Sequence, residues 1–504
     1  MSATLFRGVE ILDLDAPGGA HGPLDVLVED GRIAAVAPAV RPPPGARIVA
    51  GRGRLLMPGL VNGHFHSSVN HMKGRLPGLP LEIFMLFESP ALPGLKPTPR
   101  EAYLRTMLGA LEMLKGGVTA VQDDAFFVPE PAPEIIDAVM QAYADSGIRA
   151  TVALDQPEVA ELDKLPFLAE LLPTDLKAEL ATPPACGSRE LLALYDHLIA
   201  RWHGREGGRL RAAASCSAPQ RVTPDYFAAL DDLSRRHGLP LYAHMLETKL
   251  QRVFGDVRLG GHSLVRYTAD LGLLSERMNV IHAIWVDDAD LDLIADAGAT
   301  IAHNPISNLR LGSGVMPFRS VRDRGIPVCL GTDEAIADDA VNLWSVMKVA
   351  GLVHSLADAD YRRWPDAPEI LSCATRGGAQ AMGLADELGS VAEGRLADLV
   401  LIDLETLAFT PRNDLVRQLV QCEGGGSVRL VMVAGRVVVE DGHAATVPEA
   451  DLLAEAREHF AVRAPALAEA ARAMERLRPA YDAMVARAAA RDVGLARRLD
   501  AIRQ

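Results

Sequence analysis

The stretch Met57-Pro-Gly-Leu-Val-Asn-Gly-His64-Phe-His66 decides how this chain is read. Side chains alternate across a strand, so His64 and His66 face one way while Phe65 faces the other, into a helix layer. Two imidazoles side by side at a strand end can reach one metal ion. Alone, a His-x-His pair fits two unrelated loop residues equally well. The surrounding sequence changes that balance. Through the middle of the chain short apolar runs alternate with helical stretches, the texture of repeated βα units and a parallel sheet. Eight runs qualify as strands: Leu56–His66, Val118–Asp124, Ile148–Asp155, Leu210–Ala218, Pro240–Glu247, Asn279–Val286, Thr300–Ile306 and Ile326–Asp333. Eight parallel strands with intervening helices predict an α/β fold, a (β/α)8 TIM barrel, whose chemistry sits at the C-terminal strand ends.

Those ends are polar. His244 closes the fifth run, His282 the sixth and Asp333 the eighth. A lone histidine on an apolar strand is ordinarily a satisfied core residue. Three more strand ends offering His or Asp, beside His64 and His66, make coincidence a poor account. Three imidazoles and a carboxylate suit a borderline divalent ion such as zinc. Glu247 follows His244 by three residues, just past the strand, where a carboxylate can serve as general base and then general acid for a metal-activated water.

The flanks read differently. Residues 5–57 are short strands broken by turns, with a hairpin signal at Asp30-Gly31 inside Val26–Val36. The same texture returns at Ala397–Asp403 and Val428–Val439, the latter turning at Gly435. These two blocks predict one small β-sandwich built from both chain ends. The expected division is 1–57 for the first part of the sandwich, 58–385 for the barrel, 386–445 for the second part and 446–504 for a helical extension, with a break near Pro479. Residues 156–209 form a long, partly helical connection of the kind that serves as a lid or binding loop.

Composition sets outer limits. The chain has 504 residues with 51 basic and 66 acidic side chains, a net charge of −15. That argues against nucleic acid or an anionic membrane as partner, since both need clustered positive charge. Cys186, Cys216, Cys329, Cys373 and Cys422 are odd in number and scattered, so neither a disulfide framework nor a cysteine-based zinc site is expected. The N-terminus lacks a basic region followed by an apolar one, and no run is long and apolar enough to span a bilayer. The expectation is a cytoplasmic enzyme acting on a small molecule.

With these residues in view, the chain resembles the amidohydrolase superfamily, in the branch of S-adenosylhomocysteine/methylthioadenosine deaminases, guanine and cytosine deaminases and triazine hydrolases. The likeness runs from about residue 5 to about 445. It is carried by PGLVNGHFH, GGVTAVQD, AHMLET, IH, AHNPISNLRLGSG and LGTDEA at the strand ends, and by GSVAEGRLADLVLIDL and VMVAGRVVVEDG in the closing segment. The resemblance implies that His64, His66, His244 and Asp333 bind one divalent metal, zinc before iron or manganese. It implies that Glu247 carries a proton from the attacking water to a ring nitrogen, that His282 orients the nucleophile or polarises the substrate without being a permanent ligand, and that Asp333 passes a second proton to the leaving amine. Binuclear members bridge two metals through a carboxylated lysine on the fourth strand; Leu210–Ala218 has none, so a mononuclear site is expected. Purine-acting relatives carry His-Ala-Pro or His-Ser-Pro after that strand, where this chain has Ser217-Ala218-Pro219-Gln220. Ser217, Gln220, Glu88 and Asn304 are the candidate substrate contacts, with Arg221 beside them, and His71 is read as a loop or pocket residue. The implied activity is loss of an amine from an amino-substituted purine, pterin, pyrimidine or triazine. Chloride loss and opening of a cyclic amide or imide are the alternatives. A homo-oligomer, dimer or tetramer, is expected from the resemblance and the C-terminal helices. A non-catalytic scaffold would be separated from all of these by its metal content.

Overall fold

The computed structural model describes residues 3–90 and 92–497. Five strands precede the barrel region: β1 (Thr4–Leu12), β2 (Ala20–Glu29), β3 (Arg32–Ala37), β4 (Arg47–Ala50) and β5 (Arg54–Pro58). Ten short strands follow: β6 (Leu60–His66), β7 (Val118–Ala125), β8 (Arg149–Leu154), β9 (Leu210–Ala212), β10 (Ala214–Ser215), β11 (Leu241–Met245), β12 (Met278–His282), β13 (Thr300–His303), β14 (Val328–Leu330) and β15 (Asp333–Glu334). Four more come late: β16 (Leu399–Asp403), β17 (Val428–Val433), β18 (Arg436–Glu440) and β19 (His443–Ala444).

The first and last groups join into one sheet domain. They form one continuous nine-stranded sheet, ordered β19-β18-β17-β16-β5-β1-β2-β3 with β4 on β1. β1 changes partner along its length, pairing with β4 over Thr4–Arg7 and with β5 at Glu10–Ile11, so the sheet bends there. β16 pairs with β5 over five residues, from Leu399↔Pro58 to Asp403↔Arg54, and so joins the two chain ends. Side chains from both chain ends, among them Phe6, Val26, Ile33, Leu399 and Met432, share one buried core on this sheet. The expected hairpins are present. Asp30 and Gly31 turn with φ of 48° and 81°, and Ala434 and Gly435 with 48° and 76°, the paired positive values of a tight hairpin turn.

The middle of the chain is TIM-barrel-like. Two five-stranded parallel sheets run β15-β6-β7-β8-β9 and β10-β11-β12-β13-β14. Only Ala213 separates β9 from β10, and only Gly331-Thr332 separates β14 from β15. Ala153, Ala213, Tyr242, Ile281, Ala302 and Cys329, drawn from both sheets and their junction, pack into one interior cluster. Phe65 points the other way and is fully buried. Its ring lies so close to the helix Pro99–Lys115 that a Cβ at Gly109 would fall 2.7 Å from it.

Several strands are shorter than their apolar runs. Leu56–Pro58 belongs to β5, and the chain leaves the large sheet at Gly59, whose N–H donates to Asp398 O. The runs ending at Ala218, Glu247, Val286 and Asp333 are cut by non-glycine residues at positive φ: Ser217 (60°), Leu246 (55°), His282 (73°) and Asp333 (60°). The connection after β8 holds the helices Glu161–Lys164, Leu168–Leu171, Thr174–Leu180 and Ser188–Trp202. The C-terminal extension is a helix Glu449–Met474, with Pro465 inside it, and a second helix Arg478–Ala489. The break therefore falls at 475–477, and Pro479 sits in the first turn of the second helix, where its missing N–H costs nothing. The last residues of the extension, 498–504, lie outside the described residues. Among the described residues no helix is long and apolar enough to cross a membrane.

Candidate metal centre and active site

The strand ends bring their polar side chains to one point. His64 and His66 leave β6 on the same side, with ring centroids 4.6 Å apart. Asp333 opens β15, which pairs with β6 in register Asp333↔Phe65, so its carboxylate falls between the two imidazoles. Its Oδ1 lies 3.5 Å from His64 Nε2 and 3.6 Å from His66 Nε2. From β11, His244 Nε2 comes within 3.4 Å of His66 Nε2. All four are buried, with Asp333 and His244 the most open at 5 %. Gly331 permits the approach of β6 to the β14–β15 link, because a Cβ there would lie 2.8 Å from His64 Cβ.

Three of the separations within this donor set match those around a tetrahedral ion. Zinc–nitrogen bonds of about 2.0–2.1 Å place neighbouring ligand atoms roughly 3.4 Å apart, and the three separations just given are 3.4, 3.5 and 3.6 Å. His64 Nε2 is buried with no hydrogen-bond partner, a cost a native fold carries only for a reason. The ligand atoms of His64, His66 and Asp333 lie within 4.8 Å of one another, as do those of His64, His244 and His282.

Protonation states agree. Burial pushes the His64 imidazole down to about 4. Burial and the neighbouring imidazoles hold His244 well below its usual value. His66 departs from this: burial opposes its charge, yet Asp333, Glu334 and Asp155 raise it. Burial works to raise Asp333, but the adjacent His64 and the surrounding imidazoles hold it well below the carboxylate range. Neutral imidazole and ionised carboxylate are the ligating forms.

The back side of each ring is held. His66 Nδ1 donates to Asp124 O at 2.5 Å, and His244 Nδ1 to Ser217 O at 2.7 Å. These bonds leave both Nε2 atoms as the free acceptors aimed at the centre. The left-handed turn at Ser217 is what presents its carbonyl to His244. His282 Nδ1 lies 2.9 Å from Asn308 Oδ1 and 3.3 Å from Asn304 Nδ2. Its Nε2 faces inward, 3.5 Å from Glu247 Oε2 and 3.9 Å from Asp333 Oδ2. Glu247 is 2 % exposed, its Oε1 has no partner, and burial, then Asp333, pushes its carboxyl well above the usual range.

The remaining expected site residues divide. Ser217 and Asn304 lie behind the imidazoles, although the Ser217 hydroxyl also accepts from Arg221 Nη1 at 3.2 Å. Glu88 ends the helix Leu81–Glu88 and is 4 % exposed; burial raises it to about 7, opposed by its hydrogen bond with Glu334. Gln220 sits in the turn Pro219–Arg221 with its Oε1 buried and unpartnered. His71 lies away from the centre, stacked on Phe460 of the extension at 4.8 Å between centroids. Sequence reading left Asp124, Asp155, Asn308 and Glu334 without a role. Asp155 Oδ2 is 4.0 Å from His66 Nδ1 and groups with His66 and His244. The polar ends of the second and third runs signalled the two aspartates; nothing in sequence marks Asn308.

A buried His/Asp centre at the ends of parallel strands, with a carboxyl beside it, defines a metal-dependent hydrolase with a TIM-barrel-like domain. Residues 55–438 match the profile of the Amidohydrolase family, and the chain belongs to that family. A relative from Natronomonas pharaonis, a 5-methylthioadenosine/S-adenosylhomocysteine deaminase, is 32% identical over 439 residues, 87% of this chain and 93% of its own. Among solved structures, an adenosine deaminase from Xanthomonas campestris with bound zinc superposes at a TM-score of 0.78 with 26% identity, over 91% of this chain and 97% of its own. A triazine hydrolase from Arthrobacter aurescens superposes at 0.81 with 26% identity, over 91% and 99%.

Proposed function

We propose that this protein is a mononuclear, metal-dependent aminohydrolase that removes an amine from an amino-substituted nitrogen heterocycle, built on a closed (β/α)8 barrel. The observation that carries the reading is the convergence of His64, His66, His244 and Asp333, with His64–Asp333, His66–Asp333 and His66–His244 separations of 3.5, 3.6 and 3.4 Å and an unpartnered His64 Nε2, and with the carboxyl of Glu247 alongside. Closure of the barrel is supported by the two near-continuous links, β9–β10 and β14–β15, each of which has one half in either sheet. His64, His66, His244 and Asp333 would hold the ion, and the zinc-bound deaminase among its structural neighbours favours zinc. When bound, such an ion lowers the pKa of water to about 7 and polarises the carbon under attack.

Glu247 does the proton work. An aromatic carbon bearing an amine resists water until a ring nitrogen is protonated, and Glu247 delivers that proton after taking it from the attacking water. His282 Nε2, fixed by Asn308 and Asn304, orients the nucleophile between Glu247 and Asp333. Asp333 accepts the second proton and passes it to the nitrogen as the carbon–nitrogen bond breaks. The balance is one water consumed, a ring carbonyl formed and ammonia released. The 6-aminopurine nucleosides named for the curated relatives head the substrate list.

The test is ammonia release by zinc-loaded protein across aminated purine nucleosides, pterins, pyrimidines and triazines, with products read by mass. Release from one ring class, abolished in Glu247→Gln, is the expected result. Chloride loss or ring opening without ammonia would overturn the aminohydrolase reading.

A further inference from the structure

The catalytic cluster is sealed: His64, Glu247 and Asp333 are 1, 2 and 5 % exposed. The two clefts that reach towards it share a feature. The first encloses about 600 Å³, including the solvent at its mouth. Glu88 lines it, as does Phe126, whose ring centroid is 5.6 Å from that of His66. Its other walls are largely apolar, among them Val69, Phe127, Ile135 and Leu467. The second encloses about 360 Å³ and is lined by Glu82, by Thr248 next to the catalytic carboxyl, and by Leu311, Val485, Ala488 and Ala489. Leu467 belongs to the helix Glu449–Met474, and Val485, Ala488 and Ala489 belong to or end the helix Arg478–Ala489. The C-terminal extension, which lies beyond residue 438 where the family match stops, therefore contributes a wall to both clefts.

The roof is fastened in two ways. Met474, Leu477, Tyr481 and Met484 pack with Ile83, Phe87, Phe167 and Leu250 in one buried cluster. Around its edge stand exposed ion pairs, Arg476 with Glu179 at 2.5 Å and Arg487 with Glu170 at 2.6 Å. Exposed pairs of this kind contribute little each. Such a layer can open without unfolding the barrel.

We propose that the C-terminal extension is a working wall of the active site: substrate enters beneath it, and Leu467 limits the length of an apolar substituent carried by the heterocycle. The selectivity half of this rests on the aminohydrolase reading; the access half does not. An apolar wall next to Phe126 and Val69 rewards burial of alkyl carbons. Leu467 is the one side chain of that wall supplied by the extension.

Two measurements decide it. The first is the rate at which EDTA strips zinc from the loaded protein. In Arg476→Glu/Arg487→Glu, which sets like charges against Glu179 and Glu170, zinc should be lost at least fivefold faster, with circular dichroism unchanged. An unaltered rate would overturn the roof, whatever the protein deaminates. The second compares two substrates of the ring class turned over that differ only in one apolar substituent, 5'-deoxyadenosine and 5'-methylthioadenosine for a purine. Leu467→Trp should lower kcat/KM for the longer at least tenfold more than for the shorter, and Leu467→Ala should narrow the gap. Equal effects on both substrates would remove Leu467 as a determinant. Failure to deaminate any amine would sink the aminohydrolase reading, and the zinc-release rates would still judge the roof.

Discussion

The barrel strands carry buried charge at both ends, and the two ends are built on opposite rules. At the start of β8, Arg149 and Asp398 form a pair 3 % and 1 % exposed in their side chains. Arg149 Nε and Nη2 donate to the two carboxylate oxygens at 2.8 and 2.9 Å, and Ala434 N–H adds a third bond at 2.8 Å. Both oxygens of this carboxylate are answered, and the pair ties the barrel to the large sheet. At the far end, His64 Nε2 and Glu247 Oε1 have no partner and several strand ends sit at positive φ. Strained backbone of that sort costs of order 1–3 kcal/mol per residue. A satisfied buried network stabilises; an unsatisfied one held in place by its surroundings is available for a ligand and for chemistry.

The comparison breaks most sharply at Glu247. Glu247→Gln should keep bound zinc and thermal stability while kcat falls about 10²–10⁴-fold, the usual share of a general acid–base. Near-normal turnover would take Glu247 out of the mechanism. At the other end, Arg149→Met should leave turnover per folded molecule unchanged and cost about 3–5 kcal/mol of stability, because it strands a buried carboxylate. Urea denaturation reads that loss; a midpoint like that of the parent would show that the pair does not hold the two sheets together. Removing zinc should act on the chemical end alone. Binding at a thousandfold excess over Kd stabilises a fold by about 4 kcal/mol, so EDTA should lower the Tm of the parent and leave that of His64→Ala nearly unchanged. An equal drop in both would break the assignment of His64 as a ligand.

How much of this was legible in sequence differs between the two ends. The site was legible because strand ends in a βα repeat must converge, so His64, His66, His244, His282 and Asp333 could be placed together from spacing alone. The single large sheet was not, because the continuous apolar runs of β16 and β5 mark buried strands but not which strand pairs with which. Strand ends were overrun because Ser217, Leu246, His282 and Asp333 adopt left-handed backbone that no local residue preference announces. Arg149 and Asp398 are 249 positions apart and show no sequence signal of their pairing. The same holds for the extension: its helices were readable, but the side chains they lay over the site were not.

The smallest effect sharpens the line between ligand and support. Asn308 touches no reacting group; its Oδ1 accepts from His282 Nδ1 at 2.9 Å and so leaves Nε2 facing Glu247 and Asp333. Partners of this kind that fix a site imidazole matter by about tenfold or more when removed. Asn308→Ala should lower kcat about tenfold with KM little changed, because orientation of the nucleophile suffers and substrate binding does not. Asn308→Asp retains an acceptor at the same place and should recover most of the rate, with the pH profile displaced upward as the added carboxylate favours the protonated imidazole. A merely structural Asn308 would instead show both variants losing stability and rate together, with no displacement of the profile.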